Sequence, residues 1–213
     1  MKHEVLIPAK VDTREHLIVV GNGMAGCRAV EELLARDAGR YRVTIFGAEP
    51  RVNYDRIMLS PVLAGDKAFD DIIVHNDAWY AGNNIDLRRG ETVVAIDRAA
   101  RTIRTHSGTV EAYDDLVIAT GSRPILIPVP GAELPGVVTF RDLDDVNAML
   151  AAAGKGGNAV VIGGGSAIIA AIQHEAVAVR GWITGREFIY IFAVSRAELV
   201  APRLGELLAL DDA

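Results

Sequence analysis

Residues 16–34 read HLIVVGNGMAGCRAVEELL, and the order of events in this stretch restricts the fold more than any other feature of the chain. A short apolar run stops at Gly21, and glycines recur at Gly23 and Gly26. Helical periodicity then begins at once, with Val30, Leu33 and Leu34 on one face and charges opposite. An apolar run of this kind suits a strand covered on both faces in a parallel sheet. YRVTIFG at 41–47 alternates like a second strand, so the segment predicts a β-α-β unit of about thirty residues.

The spacing G-x-G-x-x-G between strand and helix gives each glycine a task. The first makes the tight turn, the second lets the backbone approach a pyrophosphate, and the third lets helix and strand pack closely. The helix N-terminus adds free N–H groups and a partial positive charge. The pattern alone is weak, but Glu49 follows the second strand, where an acidic residue can hold an adenosine ribose through its hydroxyls. A solvated loop charge is the other reading of Glu49. Cys27 also has two readings: a thiolate activated by the helix N-terminus, or a small residue packed beneath the loop, which is the simpler.

Downstream, residues 48–90 are irregular and mix short polar and aromatic pieces. From Glu91 to Thr120 the pattern turns to hairpins, with TVVAID and RTIRT as strands and LVIAT returning as a buried one. SRPILIPVPGAELPG at 122–136 carries four prolines and reads as a linker. A helix is predicted over 142–153, capped by Asp142 or Asp144. NAVVI at 158–162 then runs into Gly163, Gly164 and Gly165, a second strand and glycine turn. This one departs from the pattern: Ile168 stands where a third glycine belongs and Ala170 where an acid would follow. A branched side chain there pushes the helix off the strand. Beyond it, FIYIFAV reads as a strand and AELVAPRLGELLAL as a helix interrupted by Pro202.

Charge and cysteine content remove several function classes. The net charge is −6 with no basic cluster, which argues against nucleic acid or an anionic membrane as partner. A single cysteine rules out a disulfide framework, a CxxC redox pair and a cysteine-ligated zinc or iron–sulfur site within these residues. The N-terminus is too polar for a signal peptide and no apolar run reaches membrane-spanning length, so a soluble, cytoplasmic protein is expected. His75, His106 and His174 have no carboxylate or serine partner at a recognisable spacing, and exposed or packing roles are expected for them. No metal-ligand cluster is visible, and no residue is assigned a catalytic role.

Several stretches, HLIVVGNGMAGCRAVEELL, VTIFGAEPRVNYDRIMLSPVLAG, HNDAWY, YDDLVIATGSRPILIPVPG and VVTFRDLDDV, together resemble one family. It is the N-terminal flavin half of the large subunit of assimilatory NAD(P)H-dependent nitrite reductase, and the likeness covers about residues 14–165. That half belongs to the flavoproteins with two dinucleotide-binding domains, whose relatives include rubredoxin and ferredoxin reductases. The resemblance implies an α/β fold. Its first part is an FAD-binding, Rossmann-like three-layer domain with a small β-hairpin region (1–125). A linker and the start of an incomplete second, NAD(P)-binding domain follow (126–170), then a divergent, unassigned tail (171–213).

Carried over position by position, the resemblance has Gly21, Gly23, Met24, Ala25 and Gly26 cradle the FAD pyrophosphate and Glu49 hold the ribose. Asn53, Arg56 and Ser60 of NYDRIMLS would lie along the flavin, with a surface arginine as the alternative for Arg56. Val93 would approach the adenine, and Ala119, Thr120 and Gly121 form the turn that returns the chain to FAD. Gly163 and Gly165 would begin the NAD(P)H site. Relatives that reduce ferredoxins or rubredoxins often carry a lysine after the Leu-Ser pair; Pro61 stands there instead and favours the nitrite reductase branch.

The implied activity is an FAD-dependent NAD(P)H oxidoreductase that passes electrons to siroheme and a 4Fe-4S cluster, where nitrite becomes ammonia. Those centres would sit in other domains, and the remaining domains or a small subunit are the expected partners. The tail after the second glycines reads as the product of a frameshift, an internal deletion or a short paralogue. The alternatives are a truncated, non-catalytic FAD-binding fragment, a rubredoxin or ferredoxin reductase relative, and a nicotinamide dehydrogenase that uses the first loop for NAD. The Ala119-Thr120-Gly121 turn and NYDRIMLS favour FAD over NAD on that loop.

Overall fold

In the computed structural model the described residues are 12–155 except 125 and 127, together with the backbone of 158–163 and 189–194. They fall into two compact units. The first comprises residues up to Tyr54 together with Ile73–Gly121; the second comprises Asp55–Ile72 and the residues from Ser122 onward. Residues 55–72, within the stretch expected as part of the first domain, therefore group with the second unit.

The first unit grows from the β-α-β segment. Strand β1 (Glu15–Val20) leads into helix α1 (Met24–Asp37), and β2 (Tyr41–Gly47) returns parallel to β1 with Val20 opposite Phe46. Burial of β1 is continuous from His16 to Val20, as expected of a strand covered on both faces. In the second unit lie two short 3₁₀ turns (Arg56–Met58 and Phe69–Ile72) and helix α2 (Leu59–Ala64). Back in the first, α3 (Asp77–Gly82) precedes β3 (Ile85–Arg89), which pairs parallel with β2. Sequence alone does not show β3, because IDLRR carries three charges in five residues. It sits at the sheet edge, where alternate side chains meet water and only Ile85 is fully buried.

Strands β4 (Val93–Asp97), β5 (Thr102–Thr105) and β6 (Val110–Ala112) form a separate antiparallel sheet, the expected hairpin region. β7 (Asp115–Ile118) then completes the four-stranded parallel sheet, in the order β3-β2-β1-β7. The period-2 geometry of β1 sorts its side chains between two cores. Leu17 and Val19 pack with Val30 of α1, Val43, Ile45 and Tyr80 on one face. Ile18 and Val20 pack with Phe46 and with Ile103 of the antiparallel sheet on the other. Helices, parallel sheet and antiparallel sheet are thus the three layers.

In the second unit, β8 (Val137–Val138) precedes α4 (Leu143–Ala153), which lies against α2. The predicted helix is present, and Asp142 rather than Asp144 caps it, its Oδ1 accepting from the Asp145 N–H at 3.0 Å. β9 (Asn158–Gly163) and β10 (Ile189–Val194) are both strands, as read from NAVVI and FIYIFAV. They pair antiparallel along their whole length, from Asn158–Val194 to Gly163–Ile189.

Candidate functional site

The C-terminal ends of β1, β2 and β7 open at one edge of the parallel sheet, the place where α/β folds hold ligands. Two hydrogen bonds stitch these ends together. The Gly21 N–H donates to the Phe46 carbonyl at 2.8 Å, and the Ala119 N–H donates to the Val20 carbonyl at 2.8 Å. Gly21, Glu49 and Ala119 each follow one of the three strands, so residues almost a hundred positions apart in sequence meet there.

The three loop glycines answer to different neighbours. Gly21 has φ +118°, and a Cβ there would stand 2.2 Å from the Ala119 carbonyl oxygen. A Cβ on Gly26 would stand 2.4 Å from the Gly21 carbonyl oxygen and 3.4 Å from Val19 Cγ1. Both glycines are therefore demanded by the chain itself. Gly23 is different: a Cβ there would meet nothing within 4 Å, and its φ of −88° suits any residue. Gly23 is also the N-cap of α1 with no side chain capping the helix. A loop that keeps glycine facing open space, beside uncapped helix N–H groups, fits the pyrophosphate of a dinucleotide. Met24 and Ala25 are exposed at the same helix end, whereas Gly26 is buried beneath it.

The loop rests on a buried polar network that sequence reading missed. Asn22 turns its side chain inward, where its Oδ1 accepts from the Tyr80 hydroxyl at 2.8 Å and from Cys27 Sγ at 3.2 Å. Its Nδ2 donates to the Arg51 carbonyl at 3.2 Å. Asn53, expected along the flavin, is 1% exposed and donates from Nδ2 to the Asn22 carbonyl at 3.0 Å. The Asn53 N–H donates in turn to the Tyr80 hydroxyl at 3.3 Å. Cys27 is the packed residue of the two readings: burial pushes its thiol up to about 11, against ordinary values near 9, so it is not an activated thiolate. Burial likewise raises the Tyr80 hydroxyl, which stays protonated and able to donate.

Glu49 is half-buried after β2, and the Tyr54 hydroxyl donates to its Oε2 at 2.6 Å. Val93 packs against Ile18, Val20, Phe46 and Ile103, the core between the parallel and antiparallel sheets. Thr120 and Gly121 are exposed, with Gly121 at φ +73°. Arg56 and Ser60 belong to the second unit. There Arg56 Nη1 donates to the Arg141 carbonyl at 3.0 Å, and Ser60 is buried on α2. Gly163 ends β9, and Gly165 lies outside the described residues, as do Ile168, Ala170, His174 and the predicted helix around Pro202.

His75 does have a carboxylate partner. Its Nε2 lies 2.6 Å from Glu31 Oε1 of α1, and its ring stacks on Trp79 at 3.7 Å. The two residues are 44 positions apart, too far for any spacing rule to join them. His16, buried in β1, bonds Thr44 Oγ1 and the Ala112 carbonyl, both at 2.8 Å. Among the described residues no three His, Cys, Asp or Glu side chains gather to hold a metal, and no helix is long and apolar enough to cross a membrane.

Comparison with known proteins places these features. The chain is 47% identical over 152 residues to nitrite reductase [NAD(P)H] of Bacillus subtilis (strain 168), a match that covers 71% of this chain and 19% of the relative. It is 40% identical over 154 residues to the nitrite reductase [NAD(P)H] large subunit of Klebsiella oxytoca, covering 72% of this chain and 16% of that one. The chain thus spans less than a fifth of the length of these relatives. Among solved structures, the NADH:rubredoxin oxidoreductase of Clostridium acetobutylicum superposes with a TM-score of 0.69 at 27% identity, covering 78% of this chain and 44% of that one. Residues 15–180 match the pyridine nucleotide-disulphide oxidoreductase family, and the chain belongs to it.

Proposed function

We propose that this chain carries the FAD-binding part of an NAD(P)H-dependent flavin oxidoreductase of the nitrite reductase large-subunit kind. The observation that carries the reading is the open face of Gly23 between two glycines jammed against the chain's own backbone. A bound flavin would supply hydride acceptance from a reduced nicotinamide and release of electrons to a metal centre. The chain's own part is to bind and orient. Gly23, Met24 and Ala25 present backbone N–H groups to the pyrophosphate, Gly21 and Gly26 hold the tight turn and the close helix–strand contact that shape its cradle, and Glu49 takes the ribose hydroxyls. Val93 lies towards the adenine, and Ala119, Thr120 and Gly121 close the turn. The family resemblance also assigns Asn53, Arg56 and Ser60 to the flavin side; of these, Asn53 is buried against the Asn22 carbonyl and supports the loop from beneath.

Iron–sulfur and siroheme centres held by other domains or a partner subunit would accept the electrons and would supply the reduction of nitrite to ammonia. The single buried thiol supports this direction over disulfide reduction, which needs a cysteine pair. NAD(P)H would dock at the turn begun by Gly163 and Gly165, with residues 126–170 as the start of that domain.

One observation favours a second reading, a flavin-binding module without its own nicotinamide site. β9 leads into the second glycine turn, yet β10 pairs with it antiparallel, where a nucleotide-binding βαβ unit places a parallel neighbour. Purified protein decides between them. Flavin absorbance that NADH or NADPH bleaches under anaerobic conditions supports the oxidoreductase. Bound flavin that neither reductant bleaches supports the module, and a colourless protein that takes up no added FAD refutes both.

A further inference from the structure

The polar network beneath the glycine loop does more than fill the core. A trans peptide is planar, with its C=O and N–H pointing in opposite directions, and the described chain has no cis peptide. Asn53 Nδ2 holds the Asn22 carbonyl inward at 3.0 Å. The N–H of Gly23 belongs to the same peptide plane and is therefore aimed the other way, off the network and towards the cofactor side of the loop. The Asn22 side chain fixes the plane a second time. It is gripped by the Tyr80 hydroxyl at 2.8 Å, Cys27 Sγ at 3.2 Å and the Arg51 carbonyl at 3.2 Å. Its Cβ is also the atom that a side chain on Gly47 would meet at 2.9 Å, so glycine at the end of β2 leaves the room that Asn22 occupies.

We infer that Asn53 and Tyr80 are positioning residues that aim the Gly23 N–H at the dinucleotide pyrophosphate, acting through Asn22 and not by touching the cofactor. This rests on the proposed FAD site. It also gives Asn53 a task other than lining the flavin, and gives one to Tyr80, which lies on α3, away from the glycine motif. The geometry explains the residue types: the acceptor on Asn22 needs donors that stay protonated, and a buried phenol and a buried thiol both do.

The experiment titrates FAD and, separately, ADP into the apo chain carrying Tyr80→Phe, Asn53→Ala or both, alongside wild type. The thermal midpoint of each apo protein is recorded. ADP shares the pyrophosphate but lacks the flavin, so a clamp on the Gly23 N–H weakens both ligands by the same factor. We expect about a tenfold rise in Kd for Tyr80→Phe, which loses only a hydroxyl, and at least as much for Asn53→Ala. The double variant costs less than the product of the two, because both act on one peptide. Kd values within twofold of wild type for both ligands, with or without a lower midpoint, would make the network merely structural and overturn the inference. A loss confined to FAD would return Asn53 to the flavin side and also overturn it. If Asn53→Ala fails to fold, Tyr80→Phe alone decides. Wild type that binds neither ligand refutes the FAD reading itself, a result separable from every one of these.

Discussion

Replacing Gly23 or Gly26 by alanine adds the same methyl group three residues apart on one loop, and the structure gives the two substitutions opposite consequences. At Gly26 the new Cβ would lie 2.4 Å from the Gly21 carbonyl oxygen and 3.3 Å from Ala119 Cβ. Ordinary contact begins near 3.4 Å, and the carbonyl is backbone, so α1 must move off β1 by most of an ångström. Alanine's helix propensity returns about 1 kcal/mol. Overpacking of this kind costs about 1–3 kcal/mol, and here the obstacle is backbone rather than a flexible side-chain end, which places it at the upper end. The net loss is about 2 kcal/mol, or a fall in Tm of about 4–8 °C for a chain of this size.

At Gly23 the methyl meets nothing within 4 Å and the backbone is already extended at φ −88° and ψ −179°. Alanine there stiffens the unfolded chain and leaves the apo protein as stable as wild type or up to about 1 kcal/mol more so. Its cost appears only on binding, where the methyl occupies the approach of the phosphates and FAD affinity falls at least tenfold. Differential scanning fluorimetry of the apo proteins and a fluorescence titration of FAD measure both halves. A Gly23→Ala protein that melts as low as Gly26→Ala, or that binds FAD as wild type does, would refute the assignment of the open face to the pyrophosphate.

Four further outcomes follow from buried or capping groups. Cys27 is 1% exposed, so the native protein should resist a thiol reagent at pH 8 and react with one equivalent after unfolding in urea. Because the folded thiol sits at about 11, above its unfolded value near 9, its contribution to stability is intact below pH 9. That contribution is lost as the pH rises towards 11, and urea melts of wild type and Cys27→Ala across that window should converge. The Glu31 carboxyl is held below its ordinary value of 4.5, chiefly by the hydrogen bond from Arg28, with burial opposing and His75 adding to the lowering. The stability it lends is present above that value and lost as the pH falls through the lowered one, so Glu31→Gln should flatten the acid limb of a Tm–pH profile. Asp142→Ala removes the cap of α4 and should cost about 1 kcal/mol, read as a lower urea midpoint with an unchanged slope.

What could be read from the sequence and what could not divide along the range of the interactions. The β-α-β unit, the hairpin sheet and α4 are local patterns, and each is found within a residue or three of where periodicity and turn chemistry put it. Even the choice of glycine at positions 21, 23 and 26 follows from a local rule. The reason for the choice does not: Gly21 is forced by Ala119, almost a hundred residues later, which by itself looked like a small-residue strand end. Tyr80, Asn53 and Cys27 have the same history. A phenol in HNDAWY, an amide in NYD and a thiol in a helix carry no shared spacing, and only the parallel order β3-β2-β1 brings α3, the loop after β2 and the start of α1 under one peptide. His75 and Glu31 meet for that reason too, 44 positions apart and beyond any short-range spacing. The glycine motif therefore marks where a dinucleotide can bind, whereas the orientation of its N–H groups is set by residues the motif does not contain. A variant chain that keeps all three glycines and loses Tyr80 and Asn53 would still match the motif and would bind the cofactor poorly.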